Sequence, residues 1–559
     1  MQREIPVTLR AWSRLLKSAV LLTLLGAAWS YGSRLVPPAA AQSACFVTTA
    51  SGDIQGRDLG ASCGFFAVPY AASPAMNNRW KAPQPPASWT TPLQAMTPPP
   101  SCPSIASGTP MGLEDCLKLN IWVSKASLTG AAPVLVWLHT GSFVASSANF
   151  ASHNGQHLAE ETGTIVVAPN YRLGPLGFLA HAALVSENAL HPSSGNYGLM
   201  DQRAALAWVR DNIAQFGGDP GNVTLAGTSA GADSVGLHMI SPASAGLFQH
   251  AIVESGTPTL RWPDHSEGLS QGEAFATALG CTTPATVLAC MRSKAVDVVL
   301  RALPQGTQQP TEPAGRVFWL PVVDGIEIPD QPRVLFETGA FHHVPTIVGT
   351  NRDEGWGFIP RSFSAGVNAS QYQAWLETEF GDDAATIQST YPVDAFPSAA
   401  EAMSRVLSDA QFVCEARRLS RLIERTGTQT YAYSYEYEID VLSADHVIHG
   451  VESNIVFGND YTTNQLPLHP LDAADRALHA TLAGYWSRFA ASGNPNIDDD
   501  LVIHWPAFKH PVGRGRGADK YLVLDTVIAE RLRQREAQCN VLEPFFLRSL
   551  LGPVPAAAP

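Results

Sequence analysis

GGDPGNVTLAGTSAGADSV, residues 217–235, is the stretch whose reading decides the fold. Val223-Thr224-Leu225-Ala226 is a β-branched, apolar run suited to a buried strand, and Ala230 to Ile240 reads as a helix. Between them Gly227-Thr228-Ser229-Ala230-Gly231 fits G-x-S-x-G. A strand turning straight into a helix puts Ser229 at a sharp, strained corner, where only small neighbours let the two backbones approach closely. A hydroxyl presented as a nucleophile at the end of a sheet needs that geometry. The pentapeptide alone carries little information, because Gly and Ser are common residues, so its setting must carry the argument.

Working outward, Val134 to Leu138 and Thr164 to Ala168 are continuous apolar runs, the pattern of strands buried on both faces. Gln202 to Phe216 places Ala205, Leu206, Trp208, Val209 and Ile213 at helical spacing and precedes the elbow strand as a βαβ crossover should. Leu247 to Gly256 contains another short strand, and Leu320 to Gly325 and Thr346 to Gly349 return to the core. Thr430 to Tyr435 alternates as a strand, and a later helix holds Trp486 and Phe489. This succession predicts an α/β fold, a mostly parallel central sheet flanked by helices. Strand signals vanish from Glu267 to Arg316, which reads as an insertion over the C-terminal edge of the sheet, where such segments line active sites. The Pro-rich patch Thr97 to Pro103 reads as a surface loop.

The chain has 559 residues, 45% hydrophobic and 15% charged, enough for a large core around one sheet. Arg3, Arg10, Arg14 and Lys17 precede the apolar run Ala19 to Trp29, and Ala39-Ala40-Ala41 follows; residues 1–41 therefore read as a signal peptide and the protein as secreted or periplasmic. The formal charge is −13; residues 1–41 hold five Lys/Arg and one Glu, so the remainder carries −17. Such a surface repels nucleic acid and anionic headgroups. The apolar run is too short for a comfortable transmembrane helix, so no stable membrane insertion is expected after cleavage, with an uncleaved N-terminal anchor as the alternative. Eight cysteines in an exported chain invite pairing, and no C-x-x-C or Cys/His cluster suggests a metal.

The flanks of the elbow, Gly195-Asn196-Tyr197-Gly198-Leu199-Met200-Asp201-Gln202 and Phe216-Gly217-Gly218-Asp219-Pro220, resemble the approach to the nucleophile in type-B carboxylesterases, the family that includes the cholinesterases. The resemblance runs from about Gly52 to Phe546 and implies an α/β-hydrolase fold in one domain, residues 42–546, before a flexible tail at 547–559. It also implies the pairs Cys102–Cys116, Cys281–Cys290 and Cys414–Cys539; Cys45 and Cys63 remain, either as a fourth bridge or as two free thiols.

A serine hydroxyl is a poor nucleophile at neutral pH and needs an imidazole to take its proton and a carboxylate to hold that imidazole. Gly349-Thr350-Asn351-Arg352-Asp353-Glu354-Gly355 resembles the family's acid segment and nominates Glu354, with Asp353 as the adjacent alternative. Val447-Ile448-His449-Gly450-Val451-Glu452 resembles its histidine segment and nominates His449, leaving His446 as a loop histidine. The order Ser, Glu, His is that of α/β-hydrolases. For the oxyanion, one donor is expected at the amide of Ala230; the others fall at Gly141 and Ser142, in His139-Thr140-Gly141-Ser142-Phe143, which resembles the family's H-G-G-G-F. Thr140 and Ser142 depart from the glycines of that pattern, and Ser142 is expected to serve if its φ is negative. Thr228 stands where the elbow commonly carries Glu, so one negative charge is missing; Asp233, one turn into the helix, reads as a charge favoured near a helix N-terminus, with compensation for that missing charge as the alternative. Ser255 resembles a serine that bonds near the triad, with a strand serine bonded to backbone as the plainer alternative.

No Trp lies between Cys102 and Cys116, and Gly357 occupies a position that is aromatic in cholinesterases, so the resemblance argues against choline esters. The loop closed by Cys102 and Cys116 is too short for a lipase flap. Gly315 and Val317 stand where cholinesterases carry bulky aromatics, which implies a roomier acyl pocket, with Phe318, Trp319 and Trp356 as candidate walls. The resemblance thus implies a cofactor-free serine carboxylesterase acting through an acyl-enzyme, with an esterase or amidase for bulky substrates as the alternative. A non-catalytic, neuroligin-like binding protein would share the fold but lack the nucleophile, whereas Ser229, Glu354 and His449 are all present.

Overall fold

The apolar runs of the sequence become the centre of one large sheet. The computed structural model describes residues 45–106, 108–187, 191–306, 318–359, 366–439, 445–463, 466–496, 503–509 and 519–549. The signal-peptide segment 1–41, the pocket positions Gly315 and Val317, and residues 550–559 of the expected tail lie outside the described residues.

The strands are β1 (Phe46–Thr49), β2 (Gly52–Asp58), β3 (Ser62–Pro69), β4 (Lys118–Ser124), β5 (Ala132–Leu138), β6 (Ile165–Pro169), β7 (Gly218–Thr228), β8 (His250–Glu254), β9 (Thr346–Asn351), β10 (Thr430–Tyr435), β11 (Lys520–Leu524) and β12 (Ala529–Leu532). They run across the sheet in the order β1-β2-β3-β4-β6-β5-β7-β8-β9-β10-β11-β12, with the short strand Leu93–Ala95 added beside β2. From β6 to β11 every neighbouring pair is parallel; the pairs outside that block, β1 to β4 with β6 and β11 with β12, are antiparallel. Parallel strands must be joined by crossovers, which puts helices on both faces and explains why the central strands are apolar throughout.

The helices used below are α1 (Tyr197–Asn212), α2 (Ala230–Ile240), α3 (His265–Ala278), α4 (Val287–Ser293), α5 (Val296–Arg301), α6 (Pro332–Thr338), α7 (Ala399–Leu407), α8 (Cys414–Glu424), α9 (Ala473–Ser492) and α10 (Glu536–Ser549). Helices α3 to α5 occupy the segment read as an insertion. Helix α1 begins five residues before the periodic signal at Gln202, because its first turn is buried all round. There Asp201 takes a two-pronged ion pair from Arg172 at 2.7 Å, and a side chain on Gly198 would strike the Phe178 ring. Buried polar groups in ion pairs erase the amphipathic pattern that announces a helix.

One strand read from the sequence is buried on both faces, and one sequence expectation needs correction. β10 alternates Thr, Ala and Ser with three tyrosines, yet all six residues are buried. Its tyrosine side packs against aromatics, Tyr433 lying 5.5 Å from Trp486 and 6.2 Å from Trp505. The alternation therefore separates two kinds of core instead of core from solvent, as expected of a strand held in parallel by β9 and β11. The Pro-rich patch is only partly a surface loop: Pro99 is buried, and the carbonyls of Pro99 and Pro100 accept from Asn149 and Asn170. Proline lacks an N–H but keeps a carbonyl acceptor, so such a run can be held inside by amide donors.

All eight cysteines are paired: Cys45–Cys63, Cys102–Cys116, Cys281–Cys290 and Cys414–Cys539. The last joins α8 to α10 across 125 residues and so constrains the unfolded chain most, by about 5 kcal/mol on a chain-entropy basis. Among the described residues no helix is long and apolar enough to cross a membrane.

Candidate active site

The corner between β7 and α2 is as tight as the sequence requires. Ser229 sits at φ 58° and ψ −126°, a region that side-chain-bearing residues avoid and that persists only where surrounding structure enforces it. The enforcement is visible. A Cβ on Gly227 would lie 2.6 Å from the Gly231 carbonyl carbon, and one on Gly231 would lie 2.0 Å from the Leu138 oxygen. Both glycines of G-x-S-x-G are therefore close-approach residues. The Ser229 N–H donates to the Glu254 carbonyl at 2.9 Å, which ties the corner to the end of β8.

The next residue along β8, Ser255, leads to the acid. Its hydroxyl donates to Glu354 Oε1 at 2.5 Å, the Asn351 N–H reaches the same oxygen at 2.7 Å, and Glu354 Oε2 pairs with His449 Nδ1 at 2.6 Å. Glu354 is fully buried. A carboxylate only accepts, so the bonded Nδ1 carries hydrogen, and Nε2 is left buried with no hydrogen-bond partner. Burial draws the His449 pKa down, but the charge and hydrogen bond of Glu354, then Glu452 and Asp233, outweigh it and hold the imidazole above its ordinary 6.5. A Cβ on Gly450 would stand 3.9 Å from Thr228 Oγ1, so the histidine loop lies against the serine corner. Ser229 and His449 share no hydrogen bond; before substrate arrives such contacts are often long.

The alternatives weighed from sequence find other partners. Asp353 accepts from Arg352, from Arg405 and from the Val447 N–H, and makes no bond to His449. His446 lies flat against Trp356 at 3.7 Å, with Nε2 on Glu401 at 2.8 Å. Trp356 is thereby placed at a half-buried position beside the histidine loop. Trp319 packs on Phe275 inside the core, and Gly357 is exposed.

The segment after β5 runs alongside the corner. His139 is buried and stacked on Tyr171 at 4.2 Å, and burial lowers its pKa to about 4, so the ring stays neutral. A side chain on Gly141 would strike the Ala145 carbonyl at 2.1 Å. The Gly141 carbonyl accepts from Val144 and Ala145, while the N–H groups of Gly141 and Ser142 donate to no backbone carbonyl of the described residues. The condition set for Ser142, a negative φ, is not met: its φ is 50°, and Phe143 follows at 61°. Two successive left-handed residues turn the chain so sharply that glycine would be the ordinary choice. We therefore expect Ser142→Gly to stabilise the protein by about 0.5–1 kcal/mol, once the greater freedom of glycine in the unfolded chain is subtracted. A denaturant midpoint that falls would mean that the serine side chain holds the turn.

Asp233 stands in the first turn of α2, where the sequence put it. It is buried there, and its Oδ1 accepts the N–H and hydroxyl of Thr257 at 2.5 and 3.3 Å. Burial pushes its pKa up to about 7 against those hydrogen bonds.

Other groups around the histidine were not legible in the sequence. Phe358 and Phe412 flank the His449 ring at 5.0 and 4.9 Å. Phe412 comes from a π-helical turn, Ser408–Val413, between α7 and α8, and Ser408 Oγ of that turn accepts the Gly355 N–H. Only its place in space joins Phe412 to the site; no motif could have found it. Glu452, three residues past His449, is buried beside Glu354, accepts from Asn351 Nδ2 at 2.6 Å, and has its pKa raised by burial and by Glu354.

Comparison with known proteins adds two findings. A model of the carboxylesterase family matches residues 43–541. Fumonisin B1 esterase of Sphingopyxis macrogoltabida is 34% identical over 478 residues, covering 82% of this chain and 84% of that protein.

Proposed function

Because the chain belongs to the carboxylesterase family, and is on that ground a carboxylic ester hydrolase of serine-hydrolase type, we propose that Ser229 is its nucleophile, His449 its general base and Glu354 the acid that orients the imidazole. The observation that carries this reading is the 2.6 Å bond from His449 Nδ1 to a fully buried Glu354, with Nε2 left unpartnered in a loop that lies against the strained serine corner. Ser229 Oγ attacks the ester carbonyl as Nε2 takes its proton; the imidazolium then protonates the leaving alkoxide, and an acyl group remains on Ser229. Water, deprotonated by the same nitrogen, releases the acid and restores the serine.

Negative charge gathers on the former carbonyl oxygen in both steps. The N–H groups of Gly141, Ser142 and Ala230 are the donors we assign to it, Ser142 in spite of its positive φ because its N–H donates to no backbone carbonyl of the described residues, each contributing about 3 to 4 kcal/mol at the transition state. Phe358 and Phe412 restrict the imidazole and, with Trp356, supply the apolar surroundings of the reacting bond. A small-molecule ester is the partner, and no cofactor enters these steps. Fumonisin B1, named for the relative, is the first bulky ester to try. Four disulfides and the basic, apolar leader support export.

The test is turnover of short, medium and long p-nitrophenyl esters and of fumonisin B1 by the mature chain, with an organophosphate adduct located by mass spectrometry. We expect a single adduct on Ser229 that forms in step with inactivation. An adduct elsewhere, or inactivation without one on Ser229, would remove this serine from its assigned role.

A further inference from the structure

Away from the corner, five arginines line one groove in a chain whose formal charge is −13. It lies between α6, α8 and α10, has a volume of about 260 Å³, and is walled by Arg333, Arg417, Arg418, Arg421 and Arg425 beside the Cys414–Cys539 disulfide. Only two carboxylates, Glu337 and Glu543, share that wall.

A structural reading makes these arginines a clamp on α10, and part of the set is one. Arg418 is spent on Glu415 and Glu543, Arg333 bonds Glu337 at 2.7 Å and Glu543 at 3.2 Å, Arg417 and Arg421 share Asp519, and Arg417 also reaches Glu536 at 3.1 Å. The clamp leaves a remainder. Arg333 and Arg417 are 6% and 4% exposed, yet Arg333 Nη1 and Arg417 Nε and Nη1 have no hydrogen-bond partner, and neither has Arg421 Nε. Arg425, exposed at the mouth, has no ion pair among the described residues. Buried guanidinium N–H groups left unpaired carry a desolvation cost that a ligand oxygen would offset. Burial and the like charge of Arg421 hold the Arg417 pKa below its ordinary range, against the opposing pull of Asp519 and Glu536.

We propose that this groove binds a compact multivalent oxyanion, either phosphate or a small di- or tricarboxylate. Guanidinium forks match both chemistries, because two parallel N–H groups meet two oxygens of one carboxylate or phosphate. Arg333, Arg421 and Arg425 line the same wall, and the disulfide joins α8 to α10 there. A monovalent anion would meet only part of this set. The site is independent of the esterase assignment.

The experiment is calorimetric and thermal-shift titration of the mature protein with inorganic phosphate and with citrate, at ionic strength matched by chloride. Saturable one-to-one binding by either is expected, phosphate and citrate separately identifying which oxyanion fits, with affinity at least fivefold weaker in Arg425→Gln and tenfold weaker in Arg421→Gln. Arg421→Gln removes a contact to Asp519 and can perturb folding, whereas Arg425→Gln removes no ion pair and serves as the deciding variant. Titrations of the folded wild type that never saturate, or binding unchanged in Arg425→Gln, overturn the proposal and leave the arginines as a clamp alone.

Discussion

Replacing Ser229 with alanine is expected to lower kcat by about 10⁵- to 10⁶-fold, equivalent to roughly 7 to 8 kcal/mol of transition-state stabilisation. Removing the hydroxyl removes the covalent route altogether, so His449 and Glu354 are left with nothing to activate. Residual acceleration over water, about 10³- to 10⁴-fold, would come from the oxyanion donors and substrate binding. The fold should not suffer. Ser229 Oγ makes no hydrogen bond to the described residues, and alanine meets the same constraint at φ 58° as serine does. Steady-state kinetics beside thermal unfolding checks both halves: a folded variant keeping more than about 1% of wild-type kcat would show that another nucleophile carries the reaction.

Glu354→Gln is the second large effect, about 10⁴-fold in kcat, and its reason lies in which way the amide must face. Glu354 Oε1 receives the Asn351 N–H and the Ser255 hydroxyl. The Asn351 N–H can only donate, so the glutamine oxygen must stay there and its NH₂ must turn toward His449. Facing a donor, Nδ1 must give up its hydrogen, and the proton moves to Nε2, the nitrogen that has to accept from Ser229. The imidazole is then held in the wrong tautomer within an almost unchanged structure.

The pH profile separates this from mere loss of packing. Protonated His449 cannot accept a proton, so wild-type kcat/KM rises with pH through the His449 pKa, which Glu354 helps to hold above 6.5. Without the carboxylate charge, the acid limb of Glu354→Gln should move to lower pH while its plateau falls. Measuring kcat/KM from pH 4.5 to 9 shows the shift; a limb that stays in place would mean that a different acid faces the imidazole.

Much of the proposed site could be nominated from sequence because its pieces are local. The tight corner needs glycines two positions either side of Ser229, and that requirement is written within five consecutive residues. The acid and histidine segments were equally compact. Asp353 and His446 stood beside them as alternatives that no spacing could dismiss, since one residue along a loop redirects a side chain completely. Their partners, Arg352 and Arg405 for one, Trp356 and Glu401 for the other, come from segments far away in the chain.

By itself, the sequence determined the parallel core, the strand-to-helix corner and the order of the chemical groups along the chain, because periodicity and close backbone approach are imposed over a few residues. Tertiary structure alone decided the left-handed turn at Ser142, the burial of Asp233 against Thr257, the two phenylalanines flanking His449 and the arginine groove. Each of these depends on which distant element fills the space beside a residue. Dielectric, rotamer and hydrogen-bond partner are properties of that space, and they exist only once the chain has closed on itself.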